Sequence, residues 1–219
     1  MKNVVHLCDC MEFMKGVPDK YYELAIVDPP YGIGEKFKGG KTGKMNFNEI
    51  VNKDWDNAPK QEYFNELFRV SQNQIICGGN YFNLPPSRCF IVWDKLMSED
   101  FSLAMAELIW TSFDKLAKIF RLSTPKDGGK IHPTQKPVAL YKWLLKNYAK
   151  PNDKIFDSHV GSGSIRIACH DMGFSFEGCE IDKDYWQAQE ERYNTHISQQ
   201  DLFSGEELQE IIYSDGVLI

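Results

Sequence analysis

With 219 residues, 42% hydrophobic and 26% charged, the chain has the composition of a globular protein, and one domain with embellishments is expected over 1–219. The longest apolar runs are only a few residues, too short for a transmembrane span, and the opening MKNVVHLCDCMEF carries Asp9 and Glu12 where an export signal is uniformly apolar, so a cytoplasmic protein is expected. A formal net charge of −6 argues weakly against a nucleic-acid partner until the charges are mapped along the chain.

The first apolar run, residues 4–8, reads as a strand. HLCDC sets His6, Cys8 and Cys10 on one face of it, but no fourth ligand follows at a familiar spacing, so packing is expected there and no metal. The six cysteines include no CxxC pair, which fits reduced core residues. Residues 24–27 form the next strand, and AIVDPPYGIG ends it abruptly, because two consecutive prolines stop the hydrogen-bond ladder. Asp28 then stands at a strand's carboxyl end, on a stiff backbone where Pro29 and Pro30 offer carbonyls and no N–H, with the ring of Tyr31 following. Such an acceptor-rich corner suits a planar group bearing an amine. An ordinary turn before a loop fits the same four residues.

The segment GIGEKFKGGKTGK holds Lys36, Lys38, Lys41 and Lys44 against Glu35, among five glycines. It reads as a flexible basic loop over 32–55, either solvated or facing an anion, and its place directly behind Asp-Pro-Pro-Tyr favours the anion. A helical pattern follows at 59–70, with strands at 74–77, 89–93 and 108–111. From 115 to 136 there are six basic residues against Asp127, whereas 199–219 has five acids and no basic residue. Further on, helices are expected at 138–147, 164–172 and 183–194, with strands at 154–157 and 174–181. This alternation predicts an α/β sheet with helices on both faces, in which ligands bind beyond the carboxyl ends of the strands.

The second chemical signal is KIFDSHVGSGSIRIACHDMGFSFEGCEID, residues 154–182. A strand ending at Asp157 is followed by Gly161-Ser162-Gly163 and a helix, so bare backbone approaches a ligand where the helix start supplies free N–H groups. The next strand ends in Glu180, at the distance where a carboxylate can hold ribose hydroxyls. Arg166 occupies the third glycine position of a dinucleotide fingerprint, which favours a nucleoside cofactor with an amino-acid tail over a pyrophosphate.

Together these motifs resemble the amino-methylating DNA methyltransferases that use S-adenosylmethionine, in the class where Asp-Pro-Pro-Tyr precedes the cofactor glycines. CDCMEFMKGVPDKYYELAIVDPPYGIG is similar to the family's opening. IICGGNYF, FIVWDK and AELIWTSF resemble its middle strands, HPTQKPVALYKWLLKNYAKPNDKIFD resembles the segment leading to the cofactor strand, and GCEIDKDYWQAQEERY completes the match. One departure stands out: family members usually show Asp-Pro-Phe where this chain has Asp157-Ser158-His159.

The resemblance implies a Rossmann-like methyltransferase fold, with a mostly parallel seven-stranded sheet and helices on both faces. It implies transfer of a methyl group to the exocyclic N6 of adenine in a nucleotide flipped out of double-stranded DNA. Asp28 and the Pro29 carbonyl take the amine hydrogens in the turn completed by Pro30, and Tyr31 stacks on the base. Asp157, His159, Gly161 and Gly163 go to the methionine side of the cofactor, Glu180 to its ribose, Asp9 to its adenine, and Thr134 and Lys136 to its amino-acid tail. For Asp9 a helix N-cap is the competing reading, and for Lys136 a surface lysine. Lys36, Lys38, Lys41 and Lys44 fall to the DNA backbone, residues 113–131 form a short candidate target-recognition segment, and family members of this class often pair as homodimers. The alternatives are cytosine N4 as acceptor, a catalytically silent DNA-binding relative, a nucleotide-binding oxidoreductase, and methylation of RNA or protein glutamine.

Overall fold

The computed structural model describes residues 2–33, 57–98, 104–123, 131 and 135–203, with side chains as far as 199. Lys36, Lys38, Lys41, Lys44 and Thr134 lie outside these residues, as do most of the 32–55 loop and part of 113–131.

Eight strands form one sheet, in chain order β1 (Asn3–Leu7), β2 (Tyr22–Val27), β3 (Ser71–Cys77), β4 (Phe90–Asp94), β5 (Ala106–Thr111), β6 (Lys118–Arg121), β7 (Lys154–Asp157) and β8 (Ser175–Glu180). Their spatial order is β1-β8-β7-β2-β3-β5-β4-β6, and all run parallel except β5. The expectation of seven strands is thus corrected to eight. The addition is β6, inside the segment expected to read DNA sequence; it pairs with β4 at the sheet edge. Its side chains are mostly exposed, so Lys118-Ile119-Phe120-Arg121 shows little of the apolar signature that marks the central strands.

The helices are α1 (Cys10–Lys15), α2 (Gln61–Val70), α3 (Val138–Tyr148), α4 (Ser164–Met172) and α5 (Lys183–Phe203). Helix α1 is anticipated in the sequence only through the N-cap reading of Asp9, because six residues carry too little periodicity. β2 shows how the layers arise. Leu24 and Ile26 point into a core shared with Leu140, Leu144 and Ile165 of α3 and α4. Ala25 and Val27 point into a second core with Met14, Phe64 and Leu67 of α1 and α2. A strand covered on both faces reads as a continuous apolar run, as Leu24 to Val27 does. None of the helices among the described residues is long and apolar enough to cross a membrane.

The chain leaves β2 for β3 on one side and returns through β7 on the other. Crossovers that depart in opposite directions open a crevice beyond the carboxyl ends of the two strands. Gly178 of β8 holds the wall beside it tight, since a Cβ there would lie 2.5 Å from Val160 Cγ2 and 2.8 Å from the Asp157 carbonyl oxygen. Gly178→Ala is therefore expected to cost about 1–3 kcal/mol, read as a lower urea midpoint at constant slope. An unchanged midpoint would show that the Asp157–Val160 turn yields freely.

Candidate active site

At the carboxyl end of β2 the chain turns through Asp28, Pro29 and Pro30 into Tyr31. The Tyr31 hydroxyl donates to Asp28 Oδ1 at 2.8 Å. Lys136, placed just ahead of α3, donates to Asp28 Oδ2 at 2.5 Å and to the Tyr31 hydroxyl at 3.1 Å. The Tyr31 ring stacks on Tyr81 with centroids 4.9 Å apart and 18° between planes. Its back rests on Gly78, whose φ of +64° and bare Cα are both required, because a Cβ would lie 2.3 Å from the ring.

Burial pushes the Asp28 carboxyl above its ordinary value, with Lys136 opposing and Glu107 adding to the rise. For Lys136 burial works to lower the pKa, but Asp28, Tyr31 and Glu107 together outweigh it and the ammonium is held well above its usual range. Lys136 was expected along the cofactor's amino-acid tail or on the surface; its side chain is 2% exposed and lies on Asp28. Glu107, at the start of β5, joins the cluster through Lys95 Nζ at 2.7 Å and Lys136 Nζ at 3.3 Å. No feature of AELIWT marked Glu107, since one acid at the head of an apolar strand looks like a solvated end.

Beside this corner, Asp157 closes β7, and its Oδ1 accepts the His159 backbone N–H at 2.9 Å. Burial raises its carboxyl well above the ordinary range. Gly161 and Gly163 have φ of +51° and +72°, the left-handed region where a side chain is strained, and Gly163 packs against α5, where a Cβ would lie 3.1 Å from Gln189 Cβ. Glu180 Oε2 accepts from Gly161 N–H at 2.8 Å and Oε1 from Asp182 N–H at 2.9 Å. Each oxygen keeps a lone pair with which a hydroxyl can be held. The donor set and the bare cradle fit a nucleoside with an amino-acid tail. Arg166 is structural: buried, it donates to Asn3 Oδ1 at 2.8 Å, Gln189 Oε1 at 2.9 Å and Glu190 Oε1 at 2.6 Å, tying α4 to β1 and α5.

The unusual Ser158-His159 pair forms a chain with Tyr63 of α2, which sequence reasoning did not single out. Ser158 Oγ lies 2.6 Å from the Tyr63 hydroxyl and 2.9 Å from His159 Nδ1. Burial pushes the imidazole pKa down to about 4, so the ring is neutral near pH 7. Asp9 is exposed and caps α1, its Oδ1 accepting from Met11 N–H at 2.7 Å and Glu12 N–H at 3.4 Å. That is the N-cap reading, and Oδ2 takes no part in it. His6 Nε2 pairs with Glu177 Oε1 at 2.9 Å, and among the described residues no group of three or more His, Cys, Asp or Glu is arranged to hold a metal.

A family model described as DNA methylase matches residues 92–191. The chain is 35% identical to the type II methyltransferase M.HpaI of Haemophilus parainfluenzae over 240 residues, covering 87% of this chain and 74% of that protein. It is 23% identical to the putative methylase YubD of Escherichia coli K12 over 209 residues, covering 84% and 87%. The fold is shared with the M1.HpyAVI–SAM complex, at TM-score 0.58 and 19% identity over 87% of this chain and 98% of that one. It is shared too with the PvuII cytosine-N4-specific DNA methyltransferase, at TM-score 0.64 and 13% identity over 88% and 86%. With an acceptor corner at β2, a glycine cradle at β7 and this degree of identity to M.HpaI, the chain belongs to the DNA methylases of the N6/N4 amino-methyltransferase family.

Proposed function

We propose that the protein methylates the exocyclic N6 of adenine in a nucleotide flipped out of double-stranded DNA, with S-adenosylmethionine as methyl donor. The observation that carries this reading is the adjacency of two sites at the sheet's switch point, Asp28 and Tyr31 after β2 and the Gly161–Gly163 cradle after β7. When bound, S-adenosylmethionine supplies an electrophilic methyl on its sulfonium. The chain's own work is positioning. An exocyclic amine is a poor nucleophile because its lone pair is delocalised into the ring, so its hydrogens must be held while the lone pair turns toward the methyl. Asp28 accepts one hydrogen, the Pro29 carbonyl the other, and Tyr31 stacks on the base once the exposed ring of Tyr81 leaves its face. Glu180 holds the ribose hydroxyls, and Gly161, Gly163, Asp157 and His159 line the methionine side, where the Tyr63–Ser158 chain fixes the imidazole. Flipping the base costs a few kcal/mol that backbone contacts offset; Lys36, Lys38, Lys41 and Lys44 supply them in this reading.

Asp28→Ala is expected to lower transfer at least about 100-fold while S-adenosylhomocysteine binds within a few-fold, since Glu107 stays as counter-charge for Lys136. Glu180→Ala should weaken that binding by about 1–3 kcal/mol. Calorimetric titration checks both, and equal loss of binding in the two variants would refute the division of labour.

If the four lysines meet phosphates, each neutral replacement flattens the log–log salt dependence of duplex binding by about one unit. The quadruple glutamine variant should then bind nearly independently of salt, and an unchanged slope would remove the loop from the interface.

The product decides the base. Aspartate before Pro-Pro-Tyr favours adenine within the family pattern, and a charged acceptor makes the stronger hydrogen bond. Duplex methylated in vitro, digested to nucleosides and resolved by mass spectrometry, is expected to carry N6-methyladenine. Label confined to N4-methylcytosine would replace adenine by cytosine and leave the positioning argument in place.

A further inference from the structure

Glu107 lies at the head of β5, the one reversed strand, so its beginning meets the carboxyl ends of its neighbours; the register sets Glu107 opposite Trp93. Its Oε2 is buried and has no hydrogen-bond partner among the described residues, although Lys136 Nζ is 3.3 Å away. A buried acceptor left in this condition is costly and calls for an explanation. Meanwhile both oxygens of Asp28 are engaged, Oδ1 by the Tyr31 hydroxyl and Oδ2 by Lys136. Each oxygen keeps a lone pair, but an amine presented to Oδ2 would share it with an ammonium, and that cationic donor, the stronger of the two, drains its acceptor strength.

The geometry points to Glu107 as a positioning residue: a second acceptor for the Lys136 ammonium, which draws Lys136 off Asp28 Oδ2 and leaves that oxygen to the amine of the target base. This rests on the proposed amino-methyl transfer. The exchange breaks one hydrogen bond and makes another, with no proton transferred. Lys136 donates to Asp28 Oδ2 and to the Tyr31 hydroxyl, and with Glu107 Oε2 only 3.3 Å from Nζ a small swing moves the donor on Oδ2 across to Oε2. Both carboxylates carry the same charge, which keeps the buried cation paired throughout the swing.

Glu107→Gln removes the charge that draws Lys136 away and keeps the shape. Turnover is expected to fall about 10- to 100-fold, with S-adenosylhomocysteine binding and melting temperature close to those of the parent. Glu107→Asp, which restores the charge one carbon short, should recover part of the loss. A purely structural role would lower melting temperature and binding together. The groups facing Asp28 and Lys136 are Glu107, Tyr31, Cys77, Asp157 from β7, Tyr141 from α3 and Tyr63 from α2. Of these, Glu107 raises the Asp28 carboxyl by like-charge repulsion, so in Glu107→Gln the acid limb of the turnover profile should move to lower pH even as its plateau drops. Carboxyl-carbon NMR of Asp28, assigned with Asp28→Asn, reads the same downward shift without any turnover. Should the parent transfer no methyl to DNA, the amino-methyl reading fails while the NMR shift still tests the coupling. Unchanged turnover in Glu107→Gln, or a loss matched by lost S-adenosylhomocysteine binding, overturns the proposal.

Discussion

A buried ammonium organises the catalytic end of this protein. Lys136 is almost wholly removed from solvent, and an isolated charge in that position would cost several kcal/mol. Its cost is met by Asp28 from the end of β2, Glu107 from the head of β5 and the hydroxyl of Tyr31. These groups come from parts of the chain far apart in sequence, so the pairing fixes where the Asp-Pro-Pro-Tyr turn stands relative to the segment entering α3. The reversed direction of β5 is part of the same device. A parallel strand there would present its far end to the crevice and carry Glu107 away from Lys136.

The strands buried on both faces were legible in the sequence because burial writes itself as unbroken apolar runs, as in Leu24 to Val27 and Ile155 to Phe156. α4 was legible to the residue, since Gly163 and Gly173, both with positive φ, mark its two ends. β6 was not, because an exposed edge strand has no core face to display. The candidate corner could be read from Asp28 to Tyr31, where proline chemistry ends a strand, and the cradle from its glycines. Lys136, Glu107 and Tyr63 could not be placed, because the pairs Asp28–Lys136, Glu107–Lys136 and Tyr63–Ser158 span 108, 29 and 95 positions, and no local pattern records a contact made by tertiary packing. Arg166 was noticed for the glycine it displaces, and only the fold reveals that its guanidinium clamps α4 to α5.

The glycines divide into two kinds of service. Gly78 and Gly178 leave room for a neighbour, the Tyr31 ring in one case and the Asp157–Val160 turn in the other. Gly161 and Gly163 supply a backbone conformation, and Gly163, like Gly78, does both, since a Cβ there would lie 3.1 Å from Gln189 Cβ. Glu180 links the two kinds, since the carboxylate that accepts Gly161 N–H ends the strand that Gly178 lets pack closely. A change in that packing therefore reaches the cradle through one hydrogen bond.

Charge at the crevice follows from the same arrangement. Asp28, Asp157 and Glu180 at the carboxyl ends of their strands and Glu107 at the head of the reversed β5 converge, and the described cations among them are Lys95 and Lys136. Asp28 raises the Asp157 carboxyl by like-charge repulsion on top of burial. An excess of carboxylate suits a cationic donor: a sulfonium entering the crevice relieves the repulsion, and the neutral thioether left after methyl transfer does not. The same field repels phosphate, so DNA must be held from outside the crevice. In a chain of net charge −6, that places the burden on basic side chains away from the acidic centre.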